Sequence, residues 1–203
     1  MASLKVRNIA GEMAMMMRAF CVAAVAIGLA TSAARAEFFG SPDFTGTGPG
    51  FIQGGASPIP RETIMYPTNL APGTIVVNTA ERRLYLVLGD GEALRYGIGV
   101  GRDGFRWGGV HRISAKKEWP AWTPPRQMIA RRPDLPRHMV GGIENPLGAR
   151  ALYLGSTLYR IHGSNEPETI GQAVSSGCFR MTNEDVTDLY DRVSVGATVI
   201  VKN

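Results

Sequence analysis

The sequence predicts a β-dominated domain, either a sandwich or a closed sheet, with one substantial helix. Three observations lead there. Short β-branched and aromatic runs recur from residue 73 onward, at TIVVN (74–78), RLYLVL (83–88), EALRYGIGVG (92–101) and GGVHRIS (108–114). The Gly-Asp-Gly at 89–91 supplies the positive φ that a tight hairpin needs, so 83–88 and 92–101 are expected to pair. One stretch alone has a convincing helical period, MTNEDVTDLYDRVS at 181–194.

The remaining elements follow in order. ARALYLG (149–155) and TLYRIH (157–162) read as a second hairpin around Gly155-Ser156. In the helix, Thr182 is the expected cap and Asp185, three residues on, makes a capping-box variant. Met181 and Val186 suit a hydrophobic staple, and Val186, Leu189, Tyr190 and Val193 form one apolar face. ATVIVK (197–202) is a final strand. Between strands lies 116–150, rich in proline and tryptophan, read as a long ordered loop serving as a lid or groove wall; a loop packed for structure alone is the alternative.

The N-terminus has a different character. Lys5, Arg7 and Arg18 precede an apolar run from Ala19 to Ala30, and Ala34-Arg35-Ala36 fits a small-x-small cleavage rule. Residues 1–36 are therefore expected to be a secretory signal peptide cut after Ala36, leaving no stable membrane span. An uncleaved anchor is the alternative. The chain is then a periplasmic protein. Residues 37–72 are dense in Gly and Pro without period, and read as a flexible arm, or one partly draped on the domain, ahead of a domain at 73–203. Cleavage removes Lys5, Arg7, Arg18 and Arg35 against Glu12, so the net charge falls from +5 to +2. No lysine-rich stripe or basic-aromatic interleaving remains, which argues against a nucleic-acid partner.

Setting the signal aside, Cys178 is the only cysteine. A lone thiol in an exported protein is intermolecular, buried and inert, or reactive. His162 lies sixteen residues upstream, at the end of a strand-like run in which Leu158, Arg160 and His162 share a face. An imidazole can take the thiol proton and leave a thiolate–imidazolium pair. Gly177 permits close backbone approach, and the N–H groups of Gly177 and Cys178 are candidates for an oxyanion hole. Ser175 and Ser176 are candidate hydroxyl donors or orienters of His162. Arg180 either binds a substrate carboxylate or holds the loop by a salt bridge. His138 reaches the site only if the proline-rich loop folds over it. Arg126, Arg131, Arg132 and Arg137 in that loop are candidate contacts for an acidic substrate, with a solvated face as the alternative. One Cys and one His fall short of the ligands a zinc site takes.

The segment HGSNEPETIG…SSGCFRMTNEDV resembles the signature of the L,D-transpeptidase (YkuD) catalytic domain: His-Gly, a dozen or so residues, Ser-x-Gly-Cys, an apolar residue, then Arg or Asn. The likeness runs from about Gly73 to Val201; GTIVVNTAERRLYLV resembles the family's first hairpin and NPLGARALYLG its approach to the histidine strand. By position, the resemblance implies Cys178 as nucleophile, His162 as base and Gly163 as the glycine partnering that histidine. Ser176 and Gly177 match the positions before the nucleophile, and Arg180 the basic position after it. Some members have His where Ser176 stands and Ile or Val where Phe179 stands. The resemblance further implies a mixed β-sandwich-like fold with its main helix after Cys178, and action on peptidoglycan stem peptides. The acceptor is an amine of a second stem or of an outer-membrane protein lysine, or else water, and neither metal nor organic cofactor is required. Papain-like peptidases place Cys before His, opposite to the order here. A non-catalytic wall-binding module and a disulfide-linked dimer are the remaining alternatives.

Overall fold

A computed structural model describes residues 57–203. The expected signal peptide and residues 37–56 of the expected arm lie outside the described residues. Eleven strands and two α-helices are present among the described residues: β1 (Glu62–Met65), β2 (Ile75–Asn78), β3 (Arg83–Gly89), β4 (Glu92–Gly97), β5 (Val100–Gly101), β6 (Gly109–Glu118), α1 (Arg126–Arg131), β7 (Arg150–Leu154), β8 (Arg160–His162), β9 (Ala173–Ser175), β10 (Phe179–Arg180), α2 (Asn183–Arg192) and β11 (Thr198–Lys202). The domain is strand-dominated, with a mixed sheet and one main helix.

Nine strands lie in the order β1-β4-β3-β2-β11-β6-β7-β8-β10, and β5 pairs with β9 beside them. The β3–β4 hairpin turns at Gly89, Asp90 and Gly91, all at positive φ, as the Asp-Gly signal requires. β11 runs parallel to β2 and β10 parallel to β8, which makes the sheet mixed. β6 joins its two parts. Residues 109–112 pair with β11, residues 113–118 pair with β7, and the register shifts between Ile113 and Ala115.

Period-two alternation sorts β2 and β3 onto two faces. Ile75, Val77, Leu84 and Leu86 enter the main core with Leu152, Leu154, Ile161 and Phe179. The helix α2 adds Val186 and Leu189, both fully buried, and packs on β7 and β8. Each such side chain contributes about 1.5–3 kcal/mol by leaving water. The cap forms as the sequence predicts, Thr182 Oγ1 accepting the Asp185 N–H at 3.2 Å. Tyr96 Oη donates to Asp188 at 2.6 Å and ties the helix to β4.

The opposite face is covered by residues 57–72, which lie draped on the domain. Val76, Tyr85 and Ala93 form a second apolar cluster, and Ile64, Tyr66 and Leu70 cover it. Tyr66 stacks on Tyr85 at 5.0 Å, while β1 pairs with β4. Arg61 reaches Asp185 and Asp188 of α2 at 3.4 Å each. A four-residue strand between Pro60 and Pro67 is too short to announce itself by period. Its stability comes from the apolar face that it covers.

The proline-rich loop also holds more structure than expected. Its first residues extend β6 to Glu118, α1 follows, and Trp122 bridges Met139 across the loop, each N–H donating to the other's carbonyl at 2.8 Å.

Candidate active site

The turn carrying Cys178 is fixed from both sides. Ser175 ends β9 and is buried. Its hydroxyl accepts the Gly177 N–H at 3.1 Å and donates to the Cys178 carbonyl at 2.6 Å. Trp107 Nε1 donates to the Gly177 carbonyl at 2.7 Å, and the Trp107 ring stacks on Tyr159 at 4.3 Å, nearly parallel. Gly177 has φ +108°, and a Cβ there would sit 2.4 Å from Tyr159 Cε1, so conformation and contact both demand glycine. The half-buried Cys178 then leads into β10, and Arg102 N–H anchors the turn's start on the Ser175 carbonyl at 3.1 Å.

This geometry changes two expected roles. The Ser175 hydroxyl is used inside the turn rather than directed at a substrate. The Gly177 N–H is used by Ser175, so it is not a free oxyanion donor. The Cys178 N–H has no hydrogen-bond partner among the described residues and is the donor left for that purpose.

His162 closes β8 and is 5 % exposed. Its Nδ1 lies 2.6 Å from the Gly163 carbonyl oxygen. A carbonyl only accepts, so Nδ1 carries the proton and Nε2 keeps a lone pair. The strand end is held by Gly163 N–H to the Arg150 carbonyl at 3.0 Å. Gly163 is a glycine for lack of space: a Cβ there would lie 2.3 Å from Oδ1 of Asn183, the first residue of α2. That same oxygen accepts the Ala149 N–H at 2.9 Å.

Strand register relates the thiol to the imidazole. β10 and β8 are parallel, with Phe179 beside Ile161 and Arg180 beside His162. Phe179 and Ile161 point into the core. By alternation Cys178, Arg180, Arg160 and His162 share the opposite face. The thiol Sγ lies 3.9 Å from the Leu158 carbonyl oxygen.

Electrostatics set the resting protonation. Burial pushes the His162 imidazole down to about 3, and the Arg180 and Arg160 charges push the same way against the Gly163 hydrogen bond. Burial pushes the Cys178 thiol up, opposed chiefly by Arg160 and also by Arg180. Both shifts favour the neutral thiol and neutral imidazole over the thiolate–imidazolium pair.

The other sequence candidates lie around this face. Arg180 Nη1 meets Glu166 at 2.6 Å and Thr169 Oγ1 at 3.4 Å, so its side chain holds the 166–169 turn. Ser176 is half-buried in the turn that carries Cys178. His138 is exposed, and its Nδ1 lies 3.1 Å from Thr123 Oγ1 within the proline-rich loop; the structure does not bring it to the thiol. Arg126, Arg131, Arg132 and Arg137 are all exposed. Arg132 forks onto Asp134, with its closest contact at 2.6 Å. Arg131 lies over the Phe105 ring at 4.8 Å, and Arg102 over the same ring at 4.6 Å. A Cβ on Gly101 would lie 2.4 Å from the Phe105 carbonyl and 3.3 Å from Gly177 Cα, which puts Phe105 beside the turn that carries Cys178. Trp107 and Asn183 are supporting residues that sequence reasoning did not single out, and Arg160 is placed there on the His162 face without a role. Trp107 alone left a signal, a tryptophan among the glycines of DGFRWGG.

A β-rich domain that sets a thiol and a tautomer-locked imidazole on adjacent parallel strands has the layout of a cysteine acyltransferase or hydrolase. Comparison with known proteins narrows the class. Residues 72–201 match the model of the L,D-transpeptidase catalytic domain, YkuD, and the chain belongs to this family. It is 39 % identical over 150 residues to the probable L,D-transpeptidase ErfK/SrfK of Escherichia coli, covering 70 % of this chain and 47 % of that protein. The chain thus spans about half the length of the curated relatives it matches first. A putative L,D-transpeptidase of Bacillus subtilis, YqjB, is 30 % identical over 142 residues, covering 66 % of this chain and 74 % of its own. Among solved structures, L,D-transpeptidase 3 of Mycobacterium tuberculosis superposes with a TM-score of 0.50 at 16 % identity, over 66 % of this chain and 62 % of that one, a likeness of fold. A Brucella melitensis structure, described as a probable carnitine operon oxidoreductase, is 48 % identical over 70 % of this chain and 93 % of its own, with a TM-score of 0.48.

Proposed function

We propose that the chain is a cell-wall L,D-transpeptidase of the periplasm, with Cys178 as nucleophile and His162 as general base. The observation that carries this reading is the shared face of β8 and β10, with His162 Nδ1 held by Gly163 and Nε2 left to accept a proton. Cys178 Sγ attacks the carbonyl at the L-configured centre of diaminopimelate in a tetrapeptide stem, and its proton passes to His162 Nε2. The oxyanion of the tetrahedral intermediate accepts the Cys178 N–H. D-Alanine leaves with the proton from His162, and a thioester remains. An amine, from a second stem or from a lysine of an outer-membrane protein, then attacks the thioester. His162 takes the amine proton and returns it to the departing sulfur. This chemistry needs neither metal nor organic cofactor. The exposed Arg102 and Arg131 flanking Phe105 provide positive charge near the turn for the acidic stem.

Water in place of the amine gives an L,D-carboxypeptidase, or a hydrolase of wall–protein links, from the same residues. The test incubates the purified protein and its Cys178→Ala variant with disaccharide-tetrapeptide and reads products by mass spectrometry. Release of D-alanine by the wild type alone is the expected result. Crosslinked dimer then identifies transfer, and tripeptide identifies hydrolysis. No change with either protein would refute the donor reading and leave hydrolysis of wall–protein links or a non-catalytic wall-binding role.

A further inference from the structure

We propose that Arg160 is the group that stabilises the Cys178 thiolate as it forms, a role distinct from that of the base and of the signature arginine. The proposal deepens the reading of Cys178 as nucleophile and rests on it. Arg160 stands one residue before Ile161, which lies beside Phe179, so it is the lateral neighbour of Cys178 on the same face. Both side chains converge on one atom: the Leu158 carbonyl oxygen lies 3.3 Å from Arg160 Nη1 and 3.9 Å from Cys178 Sγ.

The guanidinium is seated rather than free. Arg160 pairs across β7–β8 with Tyr153, and its guanidinium carbon lies 5.1 Å from that ring's centre. Its Nε is buried without a hydrogen-bond partner, a cost that a nearby anion would relieve. Three charged or titratable side chains face the sulfur from the packed strands: Arg160 and His162 on β8, and Arg180 on β10. Their states differ. Arg180 is held by Glu166 at 2.6 Å, whereas Arg160 has no carboxylate within ion-pair distance among the described residues. His162 rests neutral. The uncompensated positive charge beside the sulfur therefore belongs to Arg160, and both its main-chain and side-chain hydrogen-bonding groups favour the thiolate over the thiol.

During attack the S–H proton goes to His162 Nε2, and the electron pair on sulfur forms the new S–C bond. Arg160 neither gains nor loses a proton, since a guanidinium stays charged throughout. It lowers the energy of the charge that sulfur carries between those two events. A guanidinium would also oppose charging of the imidazole, so it favours onward delivery of the proton to the leaving amine.

Alkylation of Cys178 by iodoacetamide across pH 6–11 tests this without any wall substrate. Arg160→Gln is expected to raise the midpoint by about one unit and to slow alkylation at neutral pH about tenfold. Arg160→Lys, which keeps the charge, should recover most of both. An Arg160→Gln midpoint equal to that of the wild type overturns the proposal. A wild-type measurement covers the case of misfolded variants. The rate ratio of anionic iodoacetate to neutral iodoacetamide should exceed that of N-acetylcysteine, and a ratio at or below it overturns the proposal equally. Failure here with D-alanine release intact removes Arg160 alone. Success here without D-alanine release removes the substrate reading instead.

Discussion

Lowering the pH should destabilise this domain through His162, by an amount that its burial sets. The imidazole ordinarily titrates near 6.5 and is pushed down to about 3 in the folded chain. Between those values the unfolded chain binds a proton that the folded chain refuses, so stability falls as pH falls through that window and is fully present above it. At pH 4.5 the unfolded imidazole is about two units below its midpoint, which corresponds to about 2.7 kcal/mol of lost stability. The loss at pH 4.5 requires only that the folded value lie below 4.5. It is a large share of the roughly 5–15 kcal/mol that holds a domain. Urea unfolding at pH 7.5 and 4.5 measures it, with His162→Gln as reference. Glutamine can still donate to the Gly163 carbonyl but does not titrate. Other groups, including Asp185, whose carboxyl burial pushes up, contribute to both proteins and cancel in the difference. The wild type should lose about 2–3 kcal/mol more than the variant over this range. Superimposable pH dependences would mean that His162 takes up its proton in the folded chain as readily as in the unfolded one, and the downward push of burial would be wrong.

Three further outcomes follow from the same geometry. Gly177→Ala forces φ +108° on a residue with a Cβ and drives that atom to 2.4 Å from the Tyr159 ring, so a loss of about 2–4 kcal/mol is expected in denaturant unfolding, with slower alkylation of Cys178. Trp107→Phe keeps an aromatic ring against Tyr159 but removes the 2.7 Å bond to the Gly177 carbonyl; stability should fall by about 1 kcal/mol and kcat by a larger factor than KM rises. Thr182→Ala removes the α2 cap and should lower stability by about 1 kcal/mol in thermal unfolding, leaving the alkylation midpoint of Cys178 unchanged.

What was readable in the sequence, and what was not, divides along physical lines. β2, β3, β4, β7 and β11 announce themselves because β-branched and aromatic residues alternate over several positions. α2 does so because its cap, staple and apolar face agree. β1, β9 and β10 have two to four residues each, too few for any period, and exist because neighbouring strands offer them hydrogen bonds or apolar cover. The same division holds at the site. The types and order of His162 and Cys178 were visible from their flanking glycines. Their common face depends on the parallel register of β8 and β10, which no local pattern encodes. Ser175 illustrates the limit. Its hydroxyl looks available beside a nucleophile, yet the turn needs it for the Gly177 N–H and the Cys178 carbonyl.

The charges around the thiol constrain the order of events more tightly than the residue types do. Two arginines near a buried imidazole disfavour its protonated form, while the same two charges favour a thiolate. A site built to store a thiolate–imidazolium pair would place a carboxylate on Nδ1 of the histidine. Here a neutral carbonyl occupies that position, orienting the ring without supplying charge. Glu166, the nearby carboxylate, is held by Arg180 instead. A histidine in this setting is poorly suited to hold a proton. A neutral imidazole beside the thiol leaves little thiolate at rest, and a thiol in that state oxidises more slowly than a thiolate.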